Sequence, residues 1–216
     1  MKIVLLFTLL LFSGCSLQTP PNNFEYKSAN SFSSYTKNFL SANDLLAKND
    51  MKRAIKHAKQ SANLNTLARI YLGECSLNIS VGIKDNCSKY EDIRDIAKDK
   101  YLESYYSLIR KKLQYNDIES LPKRYKKFAF YFINNKYNKA YKEISSMQEI
   151  NSQLISAYLI KEYLDEKQIL SIIDKASFYG YKKSVLFWLK TLKNITVDEH
   201  KKERISKKID ILKSSE

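Results

Sequence analysis

Four glycines and three prolines in 216 residues leave this chain almost no means of folding strands back on one another. Tight hairpins depend on residues that reach positive φ or preset a turn, so few places are left to turn strands. What the chain offers instead is apolar residues at spacings of three and four, the period of a helix with one buried face. Leu40, Leu45 and Leu46 form a first stripe, Met51, Ile55, Ala58 and Ala62 a second, and Leu64, Leu67, Ala68, Tyr71 and Leu72 a third. The polar run Lys48-Asn49-Asp50 predicts a break between the first two. Further helices are expected over 90–114, 121–134, 137–147, 150–164, 166–178, 181–193 and 197–214. Ser120 before Pro122 reads as a cap and first turn, and Thr196 with Glu199 as a capping box for the last helix.

A faint internal repeat bears on how these helices assemble. Asn49-Asp50-Met51-Lys52-Arg53-Ala54-Ile55-Lys56 aligns with Asn135-Lys136-Tyr137-Asn138-Lys139-Ala140-Tyr141-Lys142, and more weakly with Tyr179-Gly180-Tyr181-Lys182-Lys183-Ser184-Val185. Each unit reads as a turn, an apolar residue, and a small residue three positions later, where a neighbouring helix can approach closely. The pattern resembles the turn and second helix of tetratricopeptide-like repeats. It departs from them in spacing, since Ala54, Ala140 and Ser184 lie 86 and 44 residues apart where that family repeats about every 34. The first-helix tryptophan and glycine pattern is also missing. The resemblance implies an all-α fold of antiparallel hairpins stacked as a short, irregular α-solenoid; the alternative is an irregular helical bundle.

The start of the chain has a different character. Lys2 is followed by the run Ile3 to Phe12, apolar apart from Thr8, then by Ser13, Gly14 and Cys15, the order of an export signal. The run is too short to span a membrane, which takes about 20 residues. Leu11-Phe12-Ser13-Gly14-Cys15 resembles the lipobox of bacterial lipoproteins, with Phe12 where leucine is usual. The resemblance implies a signal peptide over 1–14, lipidation of Cys15 by acyl chains such as palmitate, and attachment to the membrane, because two or three chains anchor effectively permanently. Ser16, in place of the aspartate that favours inner-membrane retention in such systems, implies the periplasmic side of the outer membrane; the inner membrane and the cell surface are the other placements. Pro20-Pro21-Asn22-Asn23 and Ser28-Ala29-Asn30-Ser31 make 15–34 read as a flexible tether, leaving 35–216 as the helical repeat domain.

With Cys15 lipidated, Cys75 and Cys87 remain as one pair in a compartment where disulfides persist, and the expectation is a bridge, against two unrelated buried thiols. A zinc site is disfavoured, because only His57 and His200 exist to complete it. The formal charge of +14 is carried by lysines spread over nearly every helix, as on a solvated face, and no recognition helix or aromatic-studded RNA-binding signature accompanies it, so nucleic acid is not an expected partner. The densest basic run, Lys201 to Lys213, surrounds the stripe Ile205, Ile209 and Leu212. It reads as a capping helix with its stripe inward, or as one that meets anionic headgroups.

Sixteen tyrosines and ten phenylalanines serve a helical core first, while some tyrosines can line a binding surface. Tyr101, Tyr105, Tyr131 and Tyr179, with Lys201 and Lys208, are the candidates for that surface. No Ser or Cys nucleophile pairs with a histidine, and neither a His-Glu-x-x-His run nor a glycine-rich phosphate loop is present. Glu103-Ser104 and Glu119-Ser120 match the catalytic dipeptide of lytic transglycosylases but lack that family's downstream motifs. The expected function is therefore non-enzymatic and cofactor-free: a lipid-anchored, periplasm-facing scaffold or adaptor for another envelope protein. The alternatives are a binder of an anionic envelope polymer or lipid and, further off, a peptidoglycan-cleaving enzyme.

Overall fold

The computed structural model describes residues 23–214; the signal peptide, Cys15 and the first part of the expected tether lie outside them. Eleven α-helices follow one another: α1 (Asn23–Leu40), α2 (Asp44–Gln60), α3 (Leu64–Ser80), α4 (Ser88–Ala97), α5 (Lys100–Ile109), α6 (Lys123–Ile133), α7 (Tyr137–Ser146), α8 (Ile150–Leu159), α9 (Glu166–Phe178), α10 (Lys182–Ile195) and α11 (Glu199–Lys213). Short 3-10 turns at Tyr115–Ser120 and Lys161–Tyr163 complete the order. No strand occurs among the described residues. Neighbours in sequence pack as hairpins, α1 with α2, α6 with α7, and α9 with α10, while α3 runs through the middle against α2, α4 and α8. The all-α fold of stacked hairpins is thus present.

Scarce glycine does not prevent tight turns, because other residues take the left-handed conformation at helix ends. Ala42, Ala62, Lys98, Lys111 and Asn135 all have positive φ, between 47° and 66°. At three of these ends the next residue's N–H reaches back to a carbonyl five residues earlier: Asn43 to Asn38, Lys112 to Ser107 and Lys136 to Tyr131, at 2.8–2.9 Å. This satisfies carbonyls that the helix end leaves open, the Schellman arrangement.

The small residues of the repeat are all fully buried: Ala54, Ala140 and Ser184. The first unit nevertheless lacks its turn. Lys48, Asn49 and Asp50 lie inside α2, because Asp50 is buried with Asn38 Nδ2 donating to it at 2.6 Å and Arg53 donating as well. A satisfied buried carboxylate is compatible with a continuous helix. The turn falls instead at Ser41 to Asn43, around Ala42.

The expected tether also yields to helix from Asn23 onward. Tyr35 and Phe39 are buried in the core, with Phe32 partly buried against it. Ser28 is fully buried and donates to the Ala54 carbonyl at 2.9 Å. Further differences arise at caps. The span expected as one helix over 90–114 is two, since Lys98 turns left-handed and the Asp99 side chain accepts from the Tyr101 and Leu102 N–H groups. The 150–164 span ends its α-helix at Leu159. Ser120 belongs to the 3-10 turn, and α6 starts only after Pro122. Asp198, not Thr196, caps α11 by accepting from the Lys201 N–H, while Thr196 donates back to the Leu192 carbonyl.

Phe128, Trp188, Leu40 and Leu159 are among the fully buried side chains of one continuous core. A smaller cluster collects Leu72, Tyr90, Ile109 and Ile155 around Cys75 and Cys87. Those cysteines are bonded, with Cα atoms 5.2 Å apart, inside the 4.4–6.8 Å span that a disulfide requires. The bridge joins α3 to the residue preceding α4. α11 lays Ile205 and Ile209 into the core, with Leu212 partly buried beside them.

Candidate functional site

Five helices converge on a solvent-open cavity of about 450 Å³. α3 supplies its floor through Leu72, Gly73, Ser76 and Leu77, and α1 supplies a wall through Phe32. Gly73 is what admits that wall: a Cβ there would stand 2.4 Å from the Phe32 ring, so the ring lies directly against the α3 backbone. Tyr101 and Tyr105 of α5, Tyr125 of α6 and Ser152 of α8 complete the lining.

The polar groups are arranged in a relay. Tyr105 and Tyr125 have ring centroids 5.2 Å apart. The Tyr125 hydroxyl donates to Ser152 Oγ at 3.1 Å, and Ser152 Oγ lies 3.5 Å from a Glu149 oxygen. Arg124 holds the other Glu149 oxygen and stands over the Tyr125 ring, 5.7 Å from its centroid. Across the mouth Arg69 reaches Asp99 at 3.5 Å. Asn151, whose buried Oδ1 has no hydrogen-bond partner among the described residues, lines the same cavity. Burial holds the Tyr105 and Tyr125 hydroxyls above the ordinary tyrosine range, so both are neutral at physiological pH and act as hydrogen-bonding groups. An apolar floor, a few convergent polar groups and an aromatic lip are the chemistry of a binding pocket. Tyr101 is that lip, 65% exposed.

The expected surface residues do not form one face. Tyr101 and Tyr105 share the cavity. Tyr131 lies in a separate hollow with Tyr115 and Phe130. Tyr179 is at the α9–α10 turn, edge-on to the Phe178 ring and tilted against Tyr181. Lys201 pairs with Glu166 and helps hold that carboxyl below its usual range, and Lys208 is exposed on α11. Phe32, Arg69, Arg124 and Asn151 carried no sequence signal for this site, because they lie on four different elements and meet only after packing.

The two Glu-Ser dipeptides sit in different surroundings. Glu103 accepts from the Tyr90 hydroxyl and from Arg94, each at 2.6 Å, and Ser104 is buried. Glu119 pairs with Lys126 at 2.9 Å on the surface. No helix among the described residues is long and apolar enough to cross a membrane. Comparison with protein families, curated proteins and solved structures finds no match to this chain.

Proposed function

We propose that this chain is a lipid-anchored, periplasm-facing adaptor that holds another envelope protein, with Cys15 as the anchor and the cavity beneath Tyr101 as the place where a partner segment seats. The observation that carries the reading is the preformed cavity itself: apolar at its floor, hydrogen-bonded through Tyr125, Ser152 and Glu149 at its side, and open beside an exposed tyrosine. Buried apolar contact supplies most of the stability of a protein interface, and aromatic and arginine side chains are its usual anchors. Tyr101, Arg69 and Arg124 are such groups, placed around one hollow. Glu103, in one of the two dipeptides that match an enzyme family, is engaged by Tyr90 and Arg94, which supports binding over cleavage.

The test is photo-crosslinking from position 101 in intact envelopes. A discrete protein adduct that persists at moderate salt supports the adaptor, since packed apolar contacts are screened far less than surface charges. Adducts confined to lipid or glycan would overturn it. So would purified chain that cleaves peptidoglycan and loses that activity in E103Q or E119Q.

A further inference from the structure

Several large apolar side chains stand in solvent at one end of the array. The ion pair between Lys183 and Asp44, at 2.5 Å, and the Lys183 ammonium 4.1 Å from the Phe39 ring centroid bring the α9–α10 turn beside the α1–α2 turn. α11 folds back against α10, and Lys201 near its start pairs with Glu166 at the start of α9, so its C-terminal end points toward the α9–α10 turn. Gathered there are Leu45 (81% exposed), Phe178 (85%) and Ile211 (72%), with Leu46 and Tyr179 also exposed.

The charge at this end is one-sided. Lys37, Lys48, Lys182, Lys208 and Lys213 are exposed, and no ion pair holds any of them among the described residues. Among the described residues, the acidic groups on these helix ends are Asp44, already paired with Lys183, together with Asp174 and Asp210.

We propose that this end is a docking face for an anionic phospholipid surface, with Leu45, Leu46, Phe178, Tyr179 and Ile211 entering the headgroup region and the lysines meeting phosphate. The apolar side chains stand at the ends of α2, α9 and α11, so a planar partner suits them better than a peptide segment. Apolar tips that sink into the headgroup boundary, ringed by lysines, combine the two terms of interfacial binding, hydrophobic burial and attraction to anionic lipid. Lysine stems can lie along the apolar surface while their ammonium groups reach phosphate. The inference is independent of the cavity, which uses other helices.

The experiment places a tryptophan at the proposed face of the full chain incorporated in lipid vesicles. Trp188 is the single native tryptophan and is fully buried, so it contributes a constant background. F178W replaces a side chain already in solvent, and folding is checked by circular dichroism. In vesicles containing one-third phosphatidylglycerol, the F178W indole should shift its emission to shorter wavelength and be quenched by lipids brominated on their acyl chains. The quenching should fall several-fold in pure phosphatidylcholine and when K182E and K213E are added. V197W, at the 88% exposed turn before α11 and so at the opposite end of that helix, should stay water-like in both. Absence of quenching of F178W in anionic vesicles would overturn the proposal, as would equal quenching of F178W and V197W. An F178S chain that keeps its vesicle contact but loses a co-purifying protein would overturn it in favour of a protein interface.

Discussion

Ser28 Oγ donates a 2.9 Å hydrogen bond to the carbonyl of Ala54, and both side chains are fully buried. The first hairpin is therefore closed at this point through two small residues, where α1 and α2 approach too closely for larger ones. A leucine at either position has nowhere to go without pushing the helices apart. Ala54→Leu and Ser28→Leu should each destabilise the chain by about 1–3 kcal/mol through overpacking, read as a lower midpoint in chemical denaturation. Ser28→Ala, which removes one buried hydrogen bond and little volume, should cost only about 1 kcal/mol.

The left-handed helix ends make opposite predictions for alanine and glycine. Ala42 and Ala62 hold φ of 66° and 54°, a conformation that costs a residue with Cβ about 1 kcal/mol. Ala42→Gly and Ala62→Gly should raise stability by up to that amount. Gly82 has φ of 77°, and a Cβ there would fall 2.5 Å from the Phe187 ring. Gly82→Ala should therefore destabilise by about 2 kcal/mol, adding a clash to the backbone penalty. Thermal denaturation of the three variants side by side checks the signs.

Opening the Cys75–Cys87 bridge, whose cysteines are 12 residues apart, should cost about 3 kcal/mol by the chain-entropy argument. The double variant Cys75→Ser with Cys87→Ser should show that loss without reductant. The loss should appear as earlier local opening of the 81–97 segment, because the bridge is the covalent tie between α3 and the start of α4. Hydrogen exchange over that segment, compared with α9 and α10, is the measurement.

Stability should hold through neutral pH and fall as the solution becomes strongly alkaline. Burial raises the hydroxyls of Tyr105, Tyr125 and Tyr181 above the ordinary tyrosine value of 10.0. For a group that is neutral when protonated, a raised folded-state value means that the folded chain binds more protons than the unfolded one once the pH exceeds the unfolded value. The contribution is fully present below about pH 10 and is lost above it. Tyrosinate absorbance and circular dichroism, followed together through alkaline pH, are the measurements. The buried set should ionise together with the loss of helical circular dichroism.

The boundaries that eluded sequence reading share one cause. Residues 23–34 look like a serine-rich tether until α2 supplies the partner against which Ser28 can pack. Lys48-Asn49-Asp50 looks like a break until Asn38, on another helix, satisfies Asp50. The N-caps at Asp99 and Asp198 are local signals, since Asp99 stands just ahead of the apolar Tyr101 and Leu102 and Asp198 just ahead of an acidic first turn at Glu199. The cavity could not be read, because Phe32, Arg69, Arg124 and Asn151 are far apart in the chain and none belongs to a motif.

By itself, the sequence determined the helical class, the buried small positions Ala54, Ala140 and Ser184, the inward stripe of α11 and the pairing of Cys75 with Cys87. Each follows from local periodicity or from an element count of one pair. Tertiary structure alone decided where α1 begins, which tyrosines became core and which became surface, and how Tyr101, Arg69 and Arg124 came to face one hollow. Those outcomes depend on which helix faces lie opposite one another, and an apolar or polar side chain carries no record of its eventual neighbour until the chain has packed.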